Sequence, residues 1–138
     1  MPDLSTHVRF EYDAVHKVLA VRATGDITDD VLGAVYAEVA RLGQEREVRA
    51  AFFDLSGVGR FDVSATAVRQ LSKLSPALPD PTPRYVVATK AHIFGMARMF
   101  QIVSPRGRDA LRVVRSARDV YDALGLSESI EFEPLDMR

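Results

Sequence analysis

Asp54 is the residue of this 138-residue chain whose position most invites chemistry. It follows the apolar run Ala50-Ala51-Phe52-Phe53. A carboxylate at the C-terminal end of a central strand can accept a phosphoryl group when Mg²⁺ is held beside it by further acids. Lys90, just after a later apolar run, is the cation such a site would use. The acids are not in place. The first two strands end in Ala14 and in Thr24-Gly25-Asp26, without an acidic pair. Asp54 therefore reads as a turn former that accepts backbone hydrogen bonds. Gly57-Val58-Gly59 lacks the third glycine of a dinucleotide-binding turn. His7, His16 and His92 lie far apart and show no ligand-like spacing. No phosphate loop, nucleophile elbow or zinc motif occurs. The expectation is a protein that is not an enzyme, with no catalytic residue, no cofactor and no metal.

Two further clusters could serve binding. Asp62 and Ser64 stand where a helix should open, and a carboxylate there can accept the unpaired N–H groups of the first turn. Asp62 is expected to cap that helix. Arg84, Lys90, Arg98, Arg106, Arg108, Arg112, Arg115 and Arg118 face only Asp109 in the same stretch of sequence. Either they form a solvated face, balanced by Glu128, Glu131, Glu133 and Asp136, or they attract an anionic partner or head group.

These residues need elements to position them. The chain suits one domain, numbered 1–138, with a core of about 8–125 and an acidic tail at 126–138. Its formal net charge of −1 gives no overall field toward nucleic acid or a membrane surface. It has no cysteine, which suits a cytoplasmic setting. No signal peptide is expected, and no apolar run approaches the ~20 residues of a membrane span, so no stable membrane insertion is expected either.

Val8, Phe10 and Tyr12 alternate with polar residues, which predicts a strand with one wet face. A second strand over Lys17–Thr24 completes an antiparallel hairpin, with Gly25-Asp26 as its end. Thr28 opens a helix whose apolar stripe runs from Val31 to Leu42, with Gly43 as its stop. Ala50–Leu55 reads as a doubly covered strand. Ser64–Ser75 reads as a helix, Tyr85–Ala88 as a buried strand and His92–Ser104 as an apolar helix. Leu111–Val114 is a short strand, and Ser116–Leu124 a last helix stopped by Gly125. Strands and helices alternating after a hairpin imply a mostly parallel sheet of about five strands with four helices. Phe52, Phe53, Val86 and Val87 should be almost fully buried.

The stretch Asp54-Leu55-Ser56-Gly57-Val58, then Phe61 and Asp62-Val63-Ser64-Ala65-Thr66, resembles the signature loop of STAS domains, the anti-sigma factor antagonists. Asp54 to Val58 match its first half. Phe61 matches its apolar residue, Asp62 its acid and Ser64 its second serine. Val63 stands where those antagonists carry the phosphorylated serine, and Ala65-Thr66 replace Gly-Leu. The segment from His92 to Phe100 resembles the divergent bacterial SpoIIAA-like branch, which is also compared with the lipid-binding lobe of Sec14-like proteins.

The resemblance implies a STAS-like α/β fold and a non-catalytic regulatory or protein-interaction module without the usual phosphoserine. Its partner would be a protein, or a second copy as a homodimer, met at a loop of Ser56, Gly57, Asp62, Val63, Ser64 and Thr66. Ser64 and Thr66 are displaced phosphorylation candidates, and neither is expected to be used. The alternative is a carrier or sensor of an apolar small molecule or lipid. On a helical wheel Ile93, Met96, Ala97, Phe100 and Val103 form a core arc, which leaves Phe94 and Ile102 outside it. Phe94, Met99 and Ile102 are expected to border a self-association or ligand patch, with Arg98 at its polar rim. Burial of Phe94 and Ile102 under a loop around Pro105 and Gly107 is the other explanation.

Overall fold

The computed structural model describes residues 4–79, 81–104 and 110–135. Its strands are β1 (Val8–Asp13), β2 (Val18–Thr28), β3 (Ala50–Asp62), β4 (Arg84–Val87), β5 (Leu111–Val114) and β6 (Glu133–Pro134). The helices are α1 (Asp29–Glu45), α2 (Ala65–Lys73), α3 (Ala91–Val103) and α4 (Ala117–Leu124). One mixed sheet runs in the order β5-β4-β3-β2-β1-β6. β2 to β5 pair in parallel, and β1 pairs antiparallel with β2. The expected α/β fold, with its hairpin, mostly parallel sheet and four helices, is the observed one. A short sixth strand joins it, as two tail residues pair with Glu11 and Tyr12 of β1.

Alternation along the strands divides the core between the two sheet faces. Val21, Ala51 and Leu55 pack with Val31, Val35 and Ile93 on the α1–α3 side. Val18, Ala20, Phe52, Tyr85 and Val87 pack with Val120 and Leu126 on the α4 side. Phe52 and Val87 are 1% and 0% exposed, as expected. Phe53 and Val86 are only partly buried, contrary to expectation, because both face the cavity described below.

The helix starts follow their sequence signals. Thr28 caps α1, accepting from the Val31 N–H at 3.3 Å. Ser116 caps α4 through the Asp119 N–H at 3.3 Å, and Gly125 ends it. Two expected stops are overrun. α1 continues past Gly43 to Glu45, since the Arg46 N–H still reaches the Leu42 carbonyl. A Cβ at Gly43 would stand 2.7 Å from Leu78, so that glycine serves a close contact instead. β2 continues past Gly25, whose φ of 69° allows a bulge that restores pairing with β3.

Asp13 organises the β1–β2 turn. Its carboxylate accepts from Val15 N–H at 3.2 Å and His16 N–H at 3.1 Å, and lies 2.6 Å from His16 Nδ1. Burial pushes this carboxyl up, but the hydrogen bonds from the His16 side chain and the two N–H groups outweigh it, and the net shift is downward. A depressed folded value stabilises the fold above the unfolded carboxylate range, near ~3.9, and this stabilisation fades as pH falls through the folded value. Acidification from about pH 6 to about pH 3 should therefore cost Asp13→Asn less stability than it costs the wild type. Urea midpoints at both pH values check this. Equal losses would show that Asp13 makes no such contribution.

Among the described residues no helix is long and apolar enough to cross a membrane.

Candidate functional site

A cavity of about 220 Å³ lies between the sheet and helices α1, α2 and α3. β3 and β4 supply its floor through Phe53 and Val86, and α1 one wall through Val35 and Val39. α2 contributes Val68 and Leu71, and α3 contributes Met96, Ala97 and Phe100. The connector from Leu74 to Leu78 closes one end. The arrangement has local causes. α2 is only nine residues long, and Pro76 prevents its continuation. Ala97, on the face of α3 that lines the cavity, fills little of it.

The lining is almost wholly apolar. Three of its hydroxyls are engaged with backbone carbonyls. Tyr36 donates to the Ser75 carbonyl, Ser72 to the Arg69 carbonyl at 2.6 Å, and Ser104 to the Phe100 carbonyl at 2.6 Å. The described lining residues include no histidine, aspartate or glutamate. The cavity thus offers mainly shape and apolar contact.

The anticipated partner loop has a different structure. Ser56 and Gly57 belong to β3, where Gly57 pairs with Thr24 of β2. A Cβ at Gly57 would meet the Ala23 carbonyl oxygen at 3.1 Å, so close strand approach explains this glycine. Asp62 is the last residue of β3, paired with Thr28. Val63 is partly buried against the core, and Thr66 is exposed in the first turn of α2.

Asp62 does not cap α2; Ser64 does. The Ser64 hydroxyl accepts from the Ala67 N–H at 3.0 Å and lies 2.9 Å from Asp29 Oδ2, to which it donates. The Ser64 N–H donates to Asp29 Oδ1 at 2.8 Å. Asp62 is in the ladder, two residues too early for the cap. Ser64→Ala should cost about 1 kcal/mol in thermal or urea unfolding, and Asp62→Ala much less. The reverse ranking would restore Asp62 as the cap. A phosphate on Ser64 would break these bonds beside Asp29, Asp30 and Asp62, adding about −2 charges among carboxylates.

The Phe94, Arg98, Met99 and Ile102 patch is not one surface. Phe94 is partly buried against the core, and the Arg115 guanidinium sits 4.2 Å above its ring. Met99 is partly buried, while Arg98 and Ile102 are exposed. Val103, expected in the core arc, is 41% exposed. The Pro105 and Gly107 loop, with Arg106, Arg108 and Asp109, lies outside the described residues, as does Asp136.

On the other face of the sheet, distant residues converge where sequence reasoning saw nothing. Arg22 donates to Glu11 at 2.7 Å, to Asp54 at 3.4 Å and to the Tyr121 hydroxyl at 3.3 Å. Its guanidinium lies 5.3 Å from the Phe52 ring centre and 5.4 Å from that of Phe132. Asp54 also accepts from the Ser56 N–H at 2.9 Å and the Ser56 hydroxyl at 2.6 Å, the local pattern expected of it. A cation stands beside Asp54 where Mg²⁺ chemistry would need carboxylates. Lys90 donates to the Val58 carbonyl, tying the start of α3 to β3. His7, His16 and His92 remain apart, and the described residues contain no group of three or more His, Cys, Asp or Glu that could hold a metal.

Arg22 stays firmly cationic. Burial disfavours its charge, but hydrogen bonds with Tyr121 and Glu11 outweigh that, and its pKa is raised. The group is an ion-pair network clamped by two aromatic rings, so it holds β1, β2, β3 and α4 together. No protein-family model and no curated protein matches this chain.

Proposed function

We propose that this protein is a non-catalytic binding module that holds an apolar small molecule between its sheet and helices α1, α2 and α3. The observation that carries this reading is the apolar cavity of about 220 Å³. An apolar cavity of ~150 Å³ is enough to take up benzene. A monoaromatic or short aliphatic compound therefore suits the volume, and the nearly unbroken apolar lining selects against polar ligands. Native mass spectrometry of the purified protein should find a bound apolar compound, or an environment-sensitive apolar dye should brighten on binding and be displaced by one. No bound compound and no dye uptake would remove the reading.

A second reading keeps the STAS-like resemblance. It makes the chain a regulatory module for a protein partner that meets the β3–α2 junction. The exposed Gly57, Asp62 and Thr66 favour it, since they lie along the C-terminal half of β3 and in the first turn of α2. The Ser64 hydroxyl is already engaged, so this reading works without a phosphoserine switch. A pull-down that retains a kinase-like partner, lost on Asp62→Lys, supports it. The cytoplasm is the setting proposed for either function, given a chain without cysteine.

A further inference from the structure

Four large apolar side chains among the described residues stand in solvent: Val15, Leu74, Ile102 and Val103, at 82%, 51%, 58% and 41% exposed. They come from three separate segments of the sequence but share one end of the domain. Val18, Ala50, Arg84 and Leu111 mark the common N-terminal edge of the parallel strands β2 to β5. Each connecting helix runs back from the C-terminal edge of one strand to the N-terminal edge of the next. Leu74 follows the last turn of α2, and Ile102 and Val103 close α3, so all three reach that edge. Val15 sits there too, in the β1–β2 turn. Single exposed apolar residues are ordinary. Here three of the four stand at the C-terminal ends of two helices that pack against each other.

Charge is arranged around them. The stretch 63–104 contains one acid, Asp80, against Arg69, Lys73, Arg84, Lys90 and Arg98. Arg69, Lys73 and Arg98 are exposed on α2 and α3. Three of the described carboxylates near this end have cationic or imidazole partners. Asp13 meets His16, Glu45 meets Arg41 and Glu47 meets Arg49. Within the acidic tail Glu128 pairs with Arg118 of α4 and Glu133 lies in β6, at the sheet edge opposite β5, while Asp29, Asp30 and Asp62 lie at the opposite end of the strands. The net charge of −1 therefore hides a locally cationic face with apolar side chains at its tip.

That combination selects the partner. A two-fold contact with a second copy would bring like charges together. Aliphatic side chains surrounded by cations suit a surface with anionic head groups over an apolar interior. We propose that this end of the domain docks on an anionic lipid membrane surface, with Ile102, Val103 and Leu74 among the head groups and Lys73, Arg69 and Arg98 on their phosphates. Leu74 also lines the cavity, so docking brings that end of the cavity to the bilayer. Only this last link rests on the apolar-ligand reading; the docking does not.

Co-sedimentation of the full chain with phosphatidylcholine vesicles, with and without phosphatidylserine, tests it. Binding is expected only with phosphatidylserine, and high salt should release it. Ile102→Ser/Val103→Ser alters two exposed residues outside the cavity lining. It should weaken binding about tenfold or more and leave the thermal midpoint unchanged. Lys73→Gln/Arg98→Gln should weaken it comparably and reduce its salt dependence. Failure to bind anionic vesicles, equal binding to neutral ones, or unchanged binding by both variants would overturn the docking. An acidic protein partner would then be the occupant to pursue. Vesicle binding without dye uptake would support the docking while removing the cavity reading, so the two fail separately.

Discussion

Replacing Arg22 with methionine is expected to lower the unfolding free energy by about 3 kcal/mol. The side chains of Arg22, Glu11 and Asp54 are 20%, 15% and 12% exposed, so water screens the group only weakly. Methionine retains much of the apolar stem against Phe52 and Phe132 but leaves two carboxylates of the same sign without their cation. Removing one partner of a sheltered ion pair is costly mainly because the charges left behind are unpaired. The cation–π contacts with both rings are lost as well. Adding Glu11→Gln and Asp54→Asn to Arg22→Met should recover a large part of the loss, since neutral amides tolerate the site better. Urea unfolding of the single and triple variants measures both. A single-variant loss below about 1 kcal/mol would mean the pairs behave as solvent-screened surface bridges.

Ala97→Phe should abolish uptake of an apolar probe, weakening it at least tenfold, while leaving the fold as stable as before or more so. Ala97 lines the cavity from α3, so a benzyl group there points into space already empty. Benzene fits a cavity of ~150 Å³, and the space here is about 220 Å³, so the ring can enter without forcing the helix outward. It fills the volume the ligand would need and contributes apolar burial of its own. Dye titration and thermal unfolding on the same samples check both halves. Unchanged dye affinity with a raised melting temperature would show that the dye binds elsewhere and that the cavity is only a packing defect. A lowered melting temperature would mean overpacking. Ala97→Leu, with a smaller side chain, then carries the test.

Local signals reached far into this fold. The alternation of Val8, Phe10 and Tyr12, the helical stripe from Val31 to Leu42, and the caps at Thr28, Ser116 and Gly125 each depend on residues within one or two turns of chain. Such patterns act before any partner element is present, so they are legible without one. Element order followed from them, and with it the mostly parallel sheet. The acid and serine before α2 were also visible, but not which of them caps. Asp62 and Ser64 are both good caps, and the choice depends on where β3 stops pairing with β2.

What only the tertiary structure decided is what required distant residues to meet. β2 and β3 run past Gly25 and Gly57 because each supplies the other's ladder partners. Phe94 lay outside the core arc on the helical wheel, yet Arg115, 21 residues later, covers its ring. Phe53 and Val86 look like core from their neighbours in sequence, but three helices packed over the sheet leave a space in front of them. Arg22 joins Glu11, Asp54 and Tyr121, and no spacing in the chain signals that meeting. Periodicity says which face of an element is apolar; it does not say how tightly the opposing elements close over that face. That closure sets the cavity, the buried ion pairs and the exposed apolar tip, and it arises from the packing of whole elements.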